Sequence, residues 1–308
     1  MNNNIVIGVD VGGSHISSAA VNLNNSEILA SSYYSVKVNN KESKENILNS
    51  WSSAINASIE SIGFNDKVRV GFAMPGPFHY KKGLAKFERN DKYESLYNVS
   101  IPNELAPLIS GNNLEFRFLN DATAFGVGAA SKGKAKVFAK VIAITLGTGF
   151  GSAFIYNGIP QVNGKNVPKD GCLWDKPYKN GIGDDYFSTR WCVGKYNEIS
   201  GLNVKGVKKI AEINDDNTRK LFSEFGSNMA EFMHPYLKAY KPDLIILGGN
   251  VSHASDFFLP SLKEYLTKKG LEIDFEISNL MEEAAIIGSA KLFERPFWDK
   301  IKIDLPNL

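Results

Sequence analysis

The 308-residue chain has only two cysteines, Cys172 and Cys192. They are too few and too far apart for a zinc site or a disulfide framework, and are expected to be reduced thiols. Long hydrophobic runs are also missing: no stretch approaches the ~20 apolar residues that cross a bilayer, so no membrane role is expected. Neither charge dominates, since 35 Lys and Arg face 33 Asp and Glu for a formal net charge of +2. That balance excludes a nucleic-acid or membrane-surface role resting on bulk electrostatics. Low-complexity tracts and linkers are absent. The opening Met-Asn-Asn-Asn leads straight into a strand, so neither a signal peptide nor an appended DNA-binding module is expected. Hydrophobic residues at 43% and charged residues at 22% are ordinary for a globular protein long enough to hold two cored domains.

One motif is present twice. The segment from Ile5 to Asp10 runs into Val11, Gly12, Gly13 and Ser14, then into Ile16 to Val21. Downstream, Val141 to Leu146 runs into Gly147, Thr148, Gly149, Phe150 and Gly151, then into Ser152 to Tyr156. Each copy predicts a strand, a tight glycine turn with a hydroxyl residue, and a second strand leaving antiparallel. Glycines at such a turn let backbone N–H groups crowd round an anion, because no Cβ blocks the approach. Two copies, each opening one half of the chain, predict a duplicated α/β fold that grips a polyphosphate from both sides.

The first half reads as strands at 5–10, 15–22 and 27–36, a helix near 42–61, a strand at 68–73, a strand at 114–119 and a helix at 121–130. Residues 78–113 are polar and irregular, a length that favours a binding loop. The second half repeats the order with strands at 141–146 and 151–156, a loop over 157–183, and helices near 184–195, 205–213 and 216–240. A strand at 243–247, a helix at 255–268, a strand at 271–276 and a helix at 281–294 follow. The predicted division is a small domain over 1–119 and a large one over 120–308, hinged near 119–140, with helix 281–294 packing back on the small domain.

Several residues stand where chemistry is expected. Asp10 closes its strand just before the first glycine turn, where a carboxylate can hold Mg²⁺ through water beside phosphates. A turn-forming Asp is the alternative, and the adjacent Gly12, Gly13 and Ser14 favour the metal reading. Asn120 and Asp121 follow a strand and open a helix. Asp121 can serve as a helix cap, or as a base that takes a proton from a hydroxyl attacking a phosphoryl group. Gly248, Gly249 and Asn250 form either a plain turn or a place where a flat ring and ribose approach closely. His15 is read as a strand residue only.

Together these segments resemble the ROK family of sugar kinases, in the actin-like ATPase and sugar kinase superfamily. Asp10 to Ile16 resembles the first phosphate motif, Gly71 to Pro77 the G-x-x-x-P-G-P loop, Leu119 to Gly126 the N-D-A segment, and Leu146 to Gly151 the second phosphate motif. Leu247 to Ser252 resembles the adenosine segment and Ala284 to Ala290 the terminal helix. The resemblance implies two similar actin-like, ribonuclease H-like domains with a cleft between them. It implies an ATP-dependent hexose kinase acting on glucose or a relative at the 6-hydroxyl, with Asp121 as general base. Gly12, Gly13, Ser14, Gly147, Thr148 and Gly149 would bind phosphate, and Gly248, Gly249 and Asn250 the nucleotide. Pro75, Gly76, Asn90, Asn120 and Asp184 would face the sugar, Asp184 being counted from Ser188. ATP and Mg²⁺ are the implied cofactors, with polyphosphate the alternative donor and no zinc. A cytoplasmic enzyme is implied, with a homodimer compatible and no nucleic-acid or membrane partner. The chain departs from the family over 163–183, which lacks its Glu/His pair and zinc-binding cysteines. Loop 157–183, with Lys165, Lys169, Asp170, Trp174, Asp175 and Lys176, is therefore expected to set sugar choice. The competing readings are a sugar-responsive regulator and a non-catalytic sugar sensor of the same family.

Overall fold

Runs of β-branched and small apolar residues make Ile5–Val11 (β1) and His15–Asn22 (β2) almost wholly buried strands, paired antiparallel with Asp10 opposite Ser17. In the computed structural model, which describes residues 4–63, 67–88, 92–280 and 282–305, this hairpin opens the first of two packed units. That unit comprises Met1–Lys136, Gly158–Pro160 and Leu280–Leu308; the second comprises Val137–Asn157 and Gln161–Asn279. The division differs from the expected boundary after residue 119, because the helix that follows packs within the first unit.

Glu27–Ile28 (β3), Tyr34–Lys37 (β4), Lys67–Met74 (β5) and Asn112–Asn120 (β6) complete the first sheet, ordered β3-β2-β1-β5-β6 with β4 also on β2. Strands β1, β5 and β6 are mutually parallel, and Asp10, Ala73 and Leu119 stand in one row across them. Their carboxyl ends therefore share one edge, where α/β sheets bind ligands. The strand expected over 27–36 is broken. The buried Ser32 hydroxyl accepts from Ala20 N–H at 2.8 Å and donates to Leu29 C=O at 2.6 Å, fixing a 3-10 turn over Ala30–Ser32. Helix α1 (Lys44–Ser61) is capped by the Ser43 hydroxyl and buries Ile47, Leu48, Trp51, Ile55 and Ile59 at helical spacing.

Asp121–Lys132 (α2) is built from small residues because another helix, Glu282–Ala290, lies directly on its backbone. A Cβ on Gly128 would sit 1.8 Å from Ala284 C=O, and one on Gly288 would sit 1.8 Å from Ala124 C=O. The two helices run antiparallel with their backbones in contact. The same Glu282–Ala290 helix lies against β1, where a Cβ on Gly8 would be 2.2 Å from Ile286 C=O. Ser289 Oγ accepts from Val9 N–H at 3.2 Å. The helix expected over 281–294 ends earlier, at Ala290, and passes into a 3-10 turn over Lys291–Phe293.

The second unit repeats the pairing pattern. Lys140–Leu146 (β7) and Phe150–Tyr156 (β8) are antiparallel, while Leu244–Gly248 (β9) runs parallel to β7 and Asp274–Ile277 (β10) parallel to β9. Thr189–Ser200 (α3), Asp216–Tyr240 (α4) and Ser255–Lys268 (α5) contribute to its core. The helix expected over 184–195 is interrupted at Phe187. That side chain turns into the core, with ring centroids 5.2 Å from both Phe150 and Phe232.

Gly128→Ala and Gly288→Ala are each expected to destabilise the fold by about 3 kcal/mol, since backbone cannot yield to the new methyl as a side chain can. Gly194→Ala is the control. Its Cβ would meet nothing within 4 Å, and helix propensity predicts a gain of about 0.5–1 kcal/mol in urea unfolding.

Candidate functional site

The first unit gathers Asp10, the Gly12–Ser14 turn, the Pro75–Gly76 loop and the Asn120–Asp121 pair at the shared carboxyl edge of β1, β5 and β6. Met74 pairs with Asn120, so the Pro75–Gly76 loop starts beside the base candidate. Asn120 caps α2 by accepting from Thr123 N–H at 3.1 Å, and its amide donates to Tyr80 Oη at 3.2 Å and to Asp121 Oδ1 at 3.0 Å. Asp121 Oδ1 also accepts from Ala122 N–H at 2.8 Å. Its second oxygen, Oδ2, takes no hydrogen bond among the described residues. Burial holds the Asp121 carboxyl above the ordinary carboxylate range, against the opposing pull of Ala122 N–H and the Lys92 charge. Asn90 lies outside the described residues.

The turn itself is held from behind. Gly12 N–H donates to His15 C=O at 2.9 Å, and Tyr93 Oη donates to Gly12 C=O at 2.6 Å. Asn40 donates its side-chain amide to Gly13 C=O. Asp10 is half-buried, and burial, then the Asp121 charge, then the Glu282 charge push its carboxyl up to about 8, with His15 opposing. A carboxyl so crowded by negative charge suits a cation. Among the described residues no cluster of three or more His, Cys, Asp or Glu side chains could hold a metal. Asp10 itself offers one carboxylate, which fits Mg²⁺ in its habit of taking one or two carboxylates and completing its shell with phosphates and water.

His15, read as an ordinary strand residue, does more. Its Nε2 lies 2.7 Å from Glu282 Oε1 and its Nδ1 lies 3.2 Å from Ser14 Oγ. Glu282 Oε2 accepts from Ser17 Oγ at 3.0 Å and from Tyr33 Oη at 3.2 Å. The hydrogen bond to Glu282 raises His15 above its ordinary 6.5 despite burial, and lowers Glu282 in turn. Sequence reasoning missed Tyr93, Asn40, Tyr80 and Glu282. The first three fall in segments without hydrophobic periodicity, and Glu282 acts 267 residues away from His15.

In the second unit, Gly147, Thr148 and Gly149 form the β7–β8 turn, closed by Gly147 N–H donating to Gly149 C=O at 3.0 Å. Thr189 N–H, at the start of α3, donates to Gly147 C=O at 2.8 Å. Asp184 Oδ1 accepts from Phe150 N–H at 2.7 Å and Oδ2 from the exposed Arg190 at 2.9 Å. Asp184 therefore braces the turn, and any hydroxyl it met would share Oδ2 with Arg190. Gly248, Gly249 and Asn250 end β9 next to this turn. Gly249 has φ +82°, and a Cβ there would lie 2.4 Å from Leu146 C=O, so only glycine fits. Within loop 157–183, Ser152 Oγ donates to Gly171 C=O at 3.0 Å and accepts from Leu173 N–H at 2.9 Å. Asp170 is a left-handed turn residue with φ +61°, and Lys165, Lys169, Trp174 and Asp175 are exposed.

The model of the ROK family matches residues 6–169 and 184–295. The chain is 23% identical to a glucokinase of Thermotoga maritima, over 94% of this chain and 97% of that one. It is 25% identical to an N-acetyl-D-glucosamine kinase of Haemophilus influenzae, over 80% and 84%. Its fold matches that of a ROK family glucokinase from Streptomyces griseus solved with glucose and AMPPNP. The TM-score is 0.70 at 20% identity, covering 94% of this chain and 99% of that one. The family match omits 170–183, within the stretch where the sequence departs from the family pattern.

The His15–Glu282 pair has a defined pH window. Its contribution from His15 is complete below about 6.5 and is lost as pH rises through the raised folded value; that from Glu282 is lost as pH falls through its lowered value. Glu282→Gln is expected to lower the His15 imidazole midpoint, read from its ring proton shifts in an NMR titration. An unmoved midpoint would show that the pair carries no charge coupling in solution.

Proposed function

The chain belongs to the ROK family, and from that premise we propose that it is an ATP-dependent sugar kinase. It transfers the γ-phosphoryl group to a hexose hydroxyl, at the 6-position of glucose or a close relative. The observation that carries this reading is Asp121, whose Oδ1 is engaged by Ala122 N–H and Asn120 while Oδ2 has no hydrogen bond among the described residues. Asn120 fixes the carboxylate's orientation from a helix cap, and the raised carboxyl is a stronger base than an ordinary Asp.

In this reading Asp121 Oδ2 takes the proton of the attacking hydroxyl, with Pro75, Gly76, Asn90 and Asn120 orienting the sugar. The turns at Gly12, Gly13 and Ser14, and at Gly147, Thr148 and Gly149, hold donor phosphates, with the Gly12 and Gly147 N–H groups spent on closing their own turns. Gly248, Gly249 and Asn250 lie along the adenosine. Asp10 holds Mg²⁺ through water, and the bound cation supplies charge neutralisation to the phosphates. Asp184 supports the second turn through Phe150 N–H and offers Oδ2 to a hydroxyl. Loop 157–183, where the Glu/His pair is replaced, selects the sugar.

Asp121→Asn is expected to keep sugar binding and thermal stability while lowering kcat by about 10²-fold or more. The acidic limb of wild-type kcat/KM should lie above the ordinary Asp range of about 3.9, because activity is lost as pH falls through the raised value. Near-normal turnover in the variant would remove Asp121 as base. Coupled ADP release across hexoses, amino sugars and N-acetyl sugars identifies the acceptor. Sugar binding without ADP release from any of them would instead fit a regulator.

Exchange of loop 157–183 for one bearing a Glu/His pair is expected to reorder kcat/KM among those sugars with ATP binding retained. An unchanged order would move selectivity to the Pro75–Gly76 loop.

A further inference from the structure

Lys92 belongs to no phosphate motif, and it stands in the polar stretch ahead of β6. It is half-buried, and its side chain lies over the first phosphate turn: a Cβ on Gly13 would be 3.8 Å from Lys92 Cε and 4.0 Å from Cδ. Its charge also acts on Asp121, pulling that carboxyl down against burial. The Lys92 stem thus lies over the turn while its charge acts on the base.

The neighbouring residue ties it to that place. Tyr93 is fully buried, with φ +56° in the left-handed region. Its N–H donates to Asn40 C=O at 3.0 Å and its hydroxyl donates to Gly12 C=O at 2.6 Å, while its ring meets Trp51 edge-on at 5.4 Å. Asn40 in turn donates to Gly13 C=O. Tyr93 and Asn40 therefore fix the turn's two carbonyls and the backbone from which Lys92 projects. Both carbonyls are occupied by these bonds, and the Lys92 methylenes lie on the side where Gly13 lacks a Cβ. A turn whose carbonyls are occupied and which has a lysine beside it suits anionic oxygens.

We propose that Lys92 is a catalytic residue of this chain, its ε-ammonium contacting the phosphoryl group in transit to the hydroxyl that Asp121 activates. The proposal rests on the kinase reading above. In the step, the sugar oxygen bonds to phosphorus as the bond from phosphorus to the bridging oxygen breaks. That electron pair leaves on the ADP β-phosphate, and the hydroxyl proton passes to Asp121. Lys92 exchanges no proton; it stabilises the charge spread over the three equatorial oxygens.

The test compares Lys92→Met and Lys92→Arg with wild type. Methionine keeps the chain over Gly13 without charge, and arginine restores a cation. Lys92→Met is expected to lower kcat by about 10- to 100-fold with KM for ATP and sugar changed less than about 3-fold, and Lys92→Arg to recover most of the loss. Inorganic tripolyphosphate, titrated by calorimetry, should bind Lys92→Met within about 3-fold of wild type, as expected of a contact made in transfer and not in the ground state. Wild-type turnover with Lys92→Met equally active, or a loss confined to KM, or no recovery by arginine, would overturn the role of Lys92 and leave the kinase reading standing. Absence of wild-type turnover on every sugar would instead overturn the kinase reading and, with it, the catalytic role. Should Lys92→Met fail to fold, Lys92→Gln carries the same comparison.

Discussion

The first unit depends on a backbone-to-backbone contact. Gly128 against Ala284 and Gly288 against Ala124 let α2 and the Glu282–Ala290 helix touch without side chains between them. The same helix rests on β1 through Gly8 and takes up Val9 N–H with Ser289. Strand β1 presents Asp10 and α2 presents Asp121, so one helix sets the distance between the two acids. Side chains packed at such a contact could adjust by rotamer changes, whereas bare backbone leaves a single spacing. The placement of the two acids thus rests on glycines that let backbone meet backbone.

That spacing creates an electrostatic problem which the surroundings partly relieve. Asp10 feels the charges of both Asp121 and Glu282, and burial adds to the cost of charging Asp10 and Asp121. Glu282 is relieved by His15, Ser17 and Tyr33, and its carboxyl stays low. Asp121 is relieved in part by Ala122 N–H and Lys92. Asp10 receives least, its carboxyl sitting at about 8, which makes it the member of the trio that gains most from a cation. On the proposed reading the arrangement sorts the three acids into an anchor, a base and a cation-seeking carboxylate. Their environments, rather than their identities, do the sorting.

The elements legible in the sequence were those with strong local signals. The two glycine hairpins, the start of α2 at the Asn120–Asp121 pair and the apolar strand Leu244–Gly248 all carry turn chemistry or periodicity within a few residues, although the cap is Asn120 and not Asp121. The broken strand over 27–36 was not legible, because it follows from Ser32 bonding to Ala20 across another strand. Nor was the interruption at Phe187, whose cause is packing against Phe150 and Phe232 from distant segments. In the site, motif residues were visible and their supports were not. Tyr93 and Asn40 show only as polar-segment residues until the fold brings them behind Gly12 and Gly13. His15 looked inert because its partner, Glu282, lies at the far end of the chain.

The duplicated hairpins also diverge in how each turn is closed, and the difference has chemical content. In the first, the carbonyls of Gly12 and Gly13 are taken by two neutral donors, Tyr93 from the segment that also carries Lys92 and Asn40 from the loop ahead of α1. In the second, Gly147 C=O is taken by Thr189 N–H at the start of α3, and Phe150 N–H is occupied by the Asp184 carboxylate. The first turn is thus braced by neutral donors, while Asp10 beside it is crowded by burial and by neighbouring acids. The second is braced by a carboxylate whose outer oxygen Arg190 holds. Two turns of one pattern therefore differ in the charge of the groups behind them, and an anionic oxygen would meet a different environment at each.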